Sequence, residues 1–385
     1  MKIINLNIAI ILTGSLISLT SCTTDKNVVY EQRPIEFSGA EKSFVDTTYV
    51  DNMKVIKLEA NKKSVIRNMA KVFDIDGKLY VFDSILDQII IFDRNGKHQG
   101  TINRKGHGKG EYVRLVDVAY DKEKKELLCL VDPSSIMHYT INGDYIKTDK
   151  LDGYYTDISC NNSYIYLYRA TYADKKTPEY TLTCINNNTG NKTELLPFSE
   201  EYAPFCSIGS KMFANGTDVT FVRKFDNNIY HVSDAAIDSS WVLNMNSFAF
   251  PKSKLTKKYE CSEIYDLCKK NNYIYMLSNI VKGHEYVLFS SNLYGIHVAS
   301  PISGKCRNYT NMNVTKYNIP VKVFVPFEGI NSKCAFILYP SSVVNLKEMR
   351  ERNPMIMKSI NRAFFDDMKD ITEESNPILF VYDLK

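Results

Sequence analysis

The stretch that decides the fold runs from Lys78 to Thr148. It contains KLYVFD (78–83), IIIFDRNGK (89–97), GHGKGEY (106–112), LVDVAYD (115–121), KELLCLVD (125–132) and HYTINGDYIKT (138–148). Leu79 and Val81, then Ile89 and Ile91, alternate at period two, and aromatic or β-branched residues crowd each run. That is the pattern of half-buried strands. Asp76-Gly77, Asn95-Gly96 and Asn142-Gly143 supply turn dipeptides that tolerate positive φ at both central positions. The apolar runs are only a few residues long. They therefore read as antiparallel strands in close succession rather than βαβ units.

The unit recurs along the chain. A turn followed by an alternating apolar strand stands at Lys78–Val81, Glu126–Cys129, Ser163–Tyr166, Asp218–Phe221, Asn272–Tyr275 and Cys334–Ile337. Successive starts are 48, 37, 55, 54 and 62 residues apart. A period of about 40 to 50 residues with four strands per unit signals a β-propeller. The expected fold is all-β: a six-bladed β-propeller of degenerate repeats.

GHGKGEYVRLVDVAYD (106–121) resembles the NHL-type repeat, in which a Gly-x-Gly-x-Gly turn leads into the innermost strand of the next blade. FDRNGK (92–97), this turn with Glu111-Tyr112, a lipoprotein-like start and the closing NPILFVYDLK (376–385) together resemble the six-bladed β-propeller lipoproteins of Bacteroidetes. One departure is the lack of a proline near Leu115, where NHL repeats often carry one. The resemblance implies a propeller and an envelope location. It implies no settled activity.

Residues 1–21 read as a signal peptide. Lys2 precedes an apolar run from Ile8 to Leu19, which is too short for a transmembrane span. Leu19-Thr20-Ser21-Cys22 looks like a lipobox, so Cys22 is the expected lipidation site after cleavage. An acylated Cys22 would hold the chain to a membrane without a spanning helix. The expected location is the bacterial cell envelope, at the outer membrane. No acidic cluster follows Cys22 to separate its periplasmic from its surface face.

Residues 22–50 read as a tether interrupted by Pro34, and residues 51–385 as the propeller domain. Val55–Leu58 is expected to complete the last blade, and Ser64–Met69 to begin the first inner strand. Near the C-terminus, Asn345 and Glu348 suit a helix start, and Pro354 the first turn of a second helix. Ile356, Ile360, Ala363, Phe364, Met368 and Ile371 then share a helical face. A short helical insertion is therefore expected at about 345–372. It packs on the propeller or, in a sharper reading, binds a partner.

The chemistry-bearing residues are scattered. Forty-eight basic and 44 acidic side chains leave a formal net charge of +4, with no electrostatic footprint for nucleic acid. The six histidines form no His-x-x-x-His pair, and no metal or cofactor is expected. Gly106-x-Gly108-x-Gly110 is followed by a strand, not a helix, so it reads as a turn and not a phosphate cradle. Of nine cysteines, Cys261 and Cys268 are the nearest in sequence and the best local candidates for a disulfide.

Two functions stay open. The first is a binding or scaffold module for a glycan, peptide or protein at the channel mouth. Arg67 and Arg114 stand near the starts of two inner strands and are its candidate ligand-binding residues. Tyr154, Tyr155 and Tyr172 are candidate aromatic platforms. The second is a hydrolase or lyase acting on polysaccharide. It would draw paired carboxylates from different blades, with Asp117, Asp157 and Glu263 as candidates by position. No Gly-x-Ser-x-Gly elbow is present, and no catalytic residue is assigned.

Overall fold

A computed structural model describes residues 30–170, 180–198, 209–215, 218–255, 259–293 and 295–385. Its first meander shows why the central stretch folds as it does. Met69–Ile75, Lys78–Asp83, Gln88–Asp93 and His98–Ile102 pair in sequence order, each antiparallel to the last. Asp76 and Gly77 both take positive φ, 50° and 77°, as a two-residue hairpin requires.

Val72, Val81 and Ile90 stand opposite one another and pack into one core cluster. Phe73, Tyr80 and Ile91 share the other face and pack into a second cluster. Both faces of the sheet are therefore buried. This differs from the half-buried strands expected, and it explains the unbroken run Ile89-Ile90-Ile91-Phe92. A sheet sandwiched between two neighbours needs apolar side chains on both sides.

The same four-strand meander recurs. The second is Leu115–Asp121, Glu126–Val131, Ser135–Thr140 and Tyr145–Lys150. The third is Asp157–Cys160, Tyr164–Tyr168, Tyr180–Asn186 and Lys192–Pro197. The fourth is Met212–Asn215, Asp218–Phe221, Asn228–Ser233 and Ala236–Asn244. The fifth is Leu277–Lys282, Val287–Ser291, Ile296–Ser300 and Lys305–Val314. The last joins Val323–Glu328, Lys333–Leu338 and Ile378–Leu384 to the early strand Val50–Lys57. Val55 pairs with Phe380 there, so the closing strand comes from the N-terminal side, as expected.

Five of the six recurrences lie on second strands of these meanders. Asn272–Tyr275 does not. It follows the helix Cys261–Asn271 and leads into a first strand, Leu277–Lys282.

Four hydrogen-bonded sheets result. The first and last meanders merge through a short parallel contact, Phe327 opposite Val72 and Glu328 opposite Phe73. The fourth and fifth merge through Glu31–Val45. That strand corrects the expected tether, which does not extend to residue 50. It runs parallel to both Ala236–Asn244 and Lys305–Val314, filling the gap between their edges. Among its described side chains Ile35, Phe37 and Phe44 are the buried ones, so the strand carries little apolar signal.

Three other expectations shift. The first inner strand begins at Met69, not Ser64. The C-terminal insertion begins earlier, as Pro340–Arg352 with Pro340 in its first turn. Arg362–Asp367 follows, with Asn361 as its cap, and Phe364, Met368 and Ile371 pack on the core. Cys261 and Cys268 lie seven residues apart on the helix Cys261–Asn271. That spacing is about 10.5 Å along a helix, beyond the roughly 7 Å that a disulfide can bridge. Among the described residues, no helix is long and apolar enough to cross a membrane.

Candidate functional site

The first strands of the meanders surround a cavity of about 450 Å³. Each supplies residues at or near its start: Ala70 and Lys71, Val116 and Asp117, Thr156 and Asp157, Ser210, Asn279, and Val323 to Val325. Returning second strands add Phe82 and Ala170. The hairpin turns 76–77, 122–125, 161–163, 283–286 and 329–332 therefore lie at the far end and are two to four residues long. The longest connections, 245–276 and 339–377, leave at the cavity end and hold the helices. Short turns at one end and elaborated loops at the other make the cavity end the candidate functional one.

A buried ion pair forms the cavity wall. Lys71 Nζ donates to Asp117 Oδ2 at 2.7 Å, to the Ile158 carbonyl at 2.7 Å and to the Val118 carbonyl at 3.1 Å. Ile158 N also donates to Asp117 Oδ2, at 2.8 Å. Burial works against the Lys71 charge, but Asp117 and Glu328 outweigh it and hold the ammonium above its ordinary range. Burial pushes the Asp117 carboxyl up to about 6, against the pull of Lys71.

Glu328 lies deeper on the neighbouring first strand. Burial raises it to about 7 against a hydrogen bond from Ser210, and its Oε1 has no hydrogen-bond partner among the described residues. Lys211 is fully buried, lowered to about 8 by that burial, and donates to the Gly209 carbonyl at 2.5 Å. Charges from different meanders thus converge in a buried centre.

Asp83, which closes KLYVFD, builds part of the rim. It is fully buried and accepts from Arg67 N at 2.6 Å, Ile85 N at 2.9 Å and Leu86 N at 3.1 Å. It thereby fixes Asn68 and Ser84, whose side chains hydrogen-bond at 2.7 Å beside the cavity.

The structure separates the expected site residues. Arg114 lines the cavity, largely exposed, with Asp132 3.7 Å away. Arg67 is exposed and does not line it. Tyr154 stands at the rim, 37% exposed. Tyr155 is buried beneath, with the Arg169 guanidinium over its ring. Tyr172 lies outside the described residues. Asp117 and Asp157 meet at the cavity, whereas Glu263 caps the helix Cys261–Asn271 by accepting from Glu260 N at 2.9 Å.

Lys71 and Glu328 are absent from the sequence reading. Their signal was a charge inside an apolar first strand, in MAKVFDI and VFVPFE.

The glycine loop is no phosphate cradle. The Glu111 carboxylate fills it, accepting from Gly108 N at 2.8 Å. Two of the histidines serve the sheets. His138 sits between Glu126 and Asp149, and His297 between Asn308 and Ser291. Among the described residues, no three His, Cys, Asp or Glu side chains are placed to hold a metal ion.

Fold and cavity define an all-β, propeller-like protein with a pocket of mixed polar and apolar lining at one end. The chain belongs to the family described as a domain of unknown function, DUF4934, whose model matches residues 35–383. In structure it resembles a protein of Bacteroides fragilis inferred to be exported, with 17% identity and a TM-score of 0.70 over 91% of this chain and 99% of that one. It also resembles a member of the DUF4221 family from Bacteroides vulgatus, with 11% identity and a TM-score of 0.52 over 87% and 98%. At these identities the likeness is one of fold. No curated protein matches the chain.

Proposed function

We propose that this protein is a lipid-anchored, six-bladed β-propeller of the cell envelope that binds a glycan, peptide or protein ligand at its channel mouth. One observation carries the reading. A 450 Å³ cavity is lined from every meander at the end where the long connections gather. Ligand sites favour such concave, convergent places. The six four-strand meanders and the closing strand Val50–Lys57 support the blade count. The fold shared with an inferred exported protein and the Cys22 lipobox support the envelope location.

Binding is favoured over hydrolysis because Asp117 is already engaged. Its Oδ2 holds both Lys71 and Ile158 N, an arrangement that fixes a wall instead of freeing an acid or base. The hydrolase or lyase reading keeps one supporting feature, the carboxyls of Asp117 and Glu328 raised to about 6 and about 7. A thermal-shift panel of glycans and peptides on the mature chain without its lipid separates the two. A stabilising ligand recovered unchanged supports binding. A stabilising ligand that is consumed makes the protein an enzyme. The anchor is tested by Cys22→Ser, which is expected to move the protein from the membrane fraction to the soluble one.

A further inference from the structure

Asp117 and Asp157 both line the cavity, yet they stand differently in it. Asp117 is engaged by Lys71 and by Ile158 N. Asp157 is 7% exposed, and the Thr156 hydroxyl donates to its Oδ2 at 2.9 Å. Its Oδ1 has no hydrogen-bond partner among the described residues, and it is not sealed from solvent as Glu328 Oε1 is. The next residue fixes its place. Ile158 N donates to Asp117 and the Ile158 carbonyl accepts from Lys71, so the buried ion pair grips the backbone that carries Asp157. A carboxylate oxygen held in place without a donor is ready for one from a ligand.

The surroundings decide what kind of donor suits it. Burial presses the Lys211 ammonium down, and Asp157 is the strongest charge opposing that. Burial presses on Lys71 too, where Asp157 adds to Asp117 and Glu328 in holding the charge. A ligand ammonium would therefore be a third cation facing Asp157. A hydroxyl brings a proton to share and no charge, and it bonds more strongly to a carboxylate than to a neutral acceptor. A peptide would bring N–H donors as well. Each comes with a carbonyl that needs a donor in return, and Lys71 has all three of its hydrogens in use.

The rest of the lining is mixed. Val116, Ala170 and Val325 stand among the polar groups, and Tyr154 and Tyr339 are each 37% exposed at the cavity. Tyr154 precedes the third meander, and Tyr339 follows the second strand of the last. In a six-bladed ring the third and last blades face each other across the mouth. A sugar ring matches such a lining, with hydroxyls at its edge and C–H faces that pack on aromatic rings.

We propose that the ligand is a glycan, that one of its hydroxyls donates to Asp157 inside the cavity, and that its C–H faces pack on Tyr154 and Tyr339. The proposal rests on the reading of the cavity mouth as the ligand site.

The test is calorimetric titration of the mature chain with cellohexaose, xylohexaose, mannohexaose and maltohexaose, and separately with a set of decapeptides. Wild type, Asp157→Asn, Tyr339→Ala and Arg114→Ala would be compared, each shown to be folded by a cooperative melt. At least one hexasaccharide is expected to bind. Asp157→Asn should weaken it about tenfold or more, and Tyr339→Ala about threefold or more. Tyr339→Ala, at a part-exposed position, decides alone if Asp157→Asn does not fold. Binding by no hexasaccharide overturns the glycan. If decapeptides bind instead and lose affinity in Arg114→Ala, the mouth stands and the glycan alone falls. A hexasaccharide weakened by Arg114→Ala but by neither of the other two variants overturns the Asp157 and Tyr339 contacts and leaves the mouth. One that all three variants bind as wild type does overturns both readings.

Discussion

The Lys71 ammonium has all three hydrogens engaged inside the protein, by Asp117 and two carbonyls of neighbouring first strands. Removing one partner of a buried pair strands the other charge and costs about 3–5 kcal/mol. Lys71→Met is therefore expected to lower the urea midpoint sharply. Lys71→Met combined with Asp117→Leu is expected to recover much of the loss, since no lone charge remains. Equal loss in the single and double variants would show that the pair is unimportant.

Glu328 gives the pH dependence. Its carboxyl titrates at about 7 folded against an ordinary 4.5, so the folded state holds the proton more tightly than the unfolded one. The stability this group contributes is full below 4.5, falls as pH rises, and is gone above about 7. Asp117 acts in the same direction from 3.8 to about 6. Lys211 works in a separate window, from about 8 to 10.5, where stability falls as pH drops. Melting temperatures at pH about 5 and about 7.5 should differ less in Glu328→Gln than in wild type. An unchanged difference would remove Glu328 as the source. Neither Lys71 nor Glu328 announces itself in the sequence. Each is one charge in an apolar strand, and its meaning depends on strands far away in the chain.

Among the elements, the glycine loop offers a sharp test. A Cβ on Gly106 would fall 2.0 Å from Glu111 Oε2. One on Gly110 would fall 2.6 Å from the Tyr145 ring, at a φ of +75°. Gly106→Ala is expected to destabilise by about 1 kcal/mol or more, and Glu111→Ala to relieve part of that, because the obstacle is a movable carboxylate. Gly110→Ala should find no such relief, since its backbone conformation is strained as well. Denaturant melts of the three variants decide this.

The turns and closing strand were readable because local chemistry fixes them. Asp76-Gly77 needs positive φ, and along the closing strand Val55 packs toward one core cluster and Ile56 toward another. The strand Glu31–Val45 was not readable, since its order comes from two neighbouring edges and, among its described side chains, three buried ones. A chain beginning at residue 46 is expected to expose those edges, melt lower and self-associate, as light scattering would record. A monomer as stable as the full chain would show that the strand is dispensable.

At the scale of the whole molecule, fold class and cavity edge were legible to different degrees. Repeat spacing pointed to the all-β, propeller-like fold, even though Asn272–Tyr275 was misplaced by an unforeseen helix. Arg114, Asp117 and Asp157 could be picked out because residues near first-strand starts converge at the mouth, and Tyr154 because it is a loop tyrosine. Arg67 lies outside the cavity because it stands two residues before Met69, whereas Arg114 stands one before Leu115, and the residue that takes the place of Arg114 in the first meander is Asn68. The two arginines therefore make a contrasting pair for the central claim.

The most direct test is the thermal shift of the first stabilising glycan or peptide, measured on wild type, Arg114→Ala and Arg67→Ala. At a hundredfold excess over its dissociation constant, a ligand stabilises the native state by roughly 2.7 kcal/mol. The account predicts that Arg114→Ala loses most of that shift while keeping its own melting temperature, and that Arg67→Ala keeps it. A full shift in Arg114→Ala, or a loss confined to Arg67→Ala, would contradict the assignment of the cavity mouth as the ligand site.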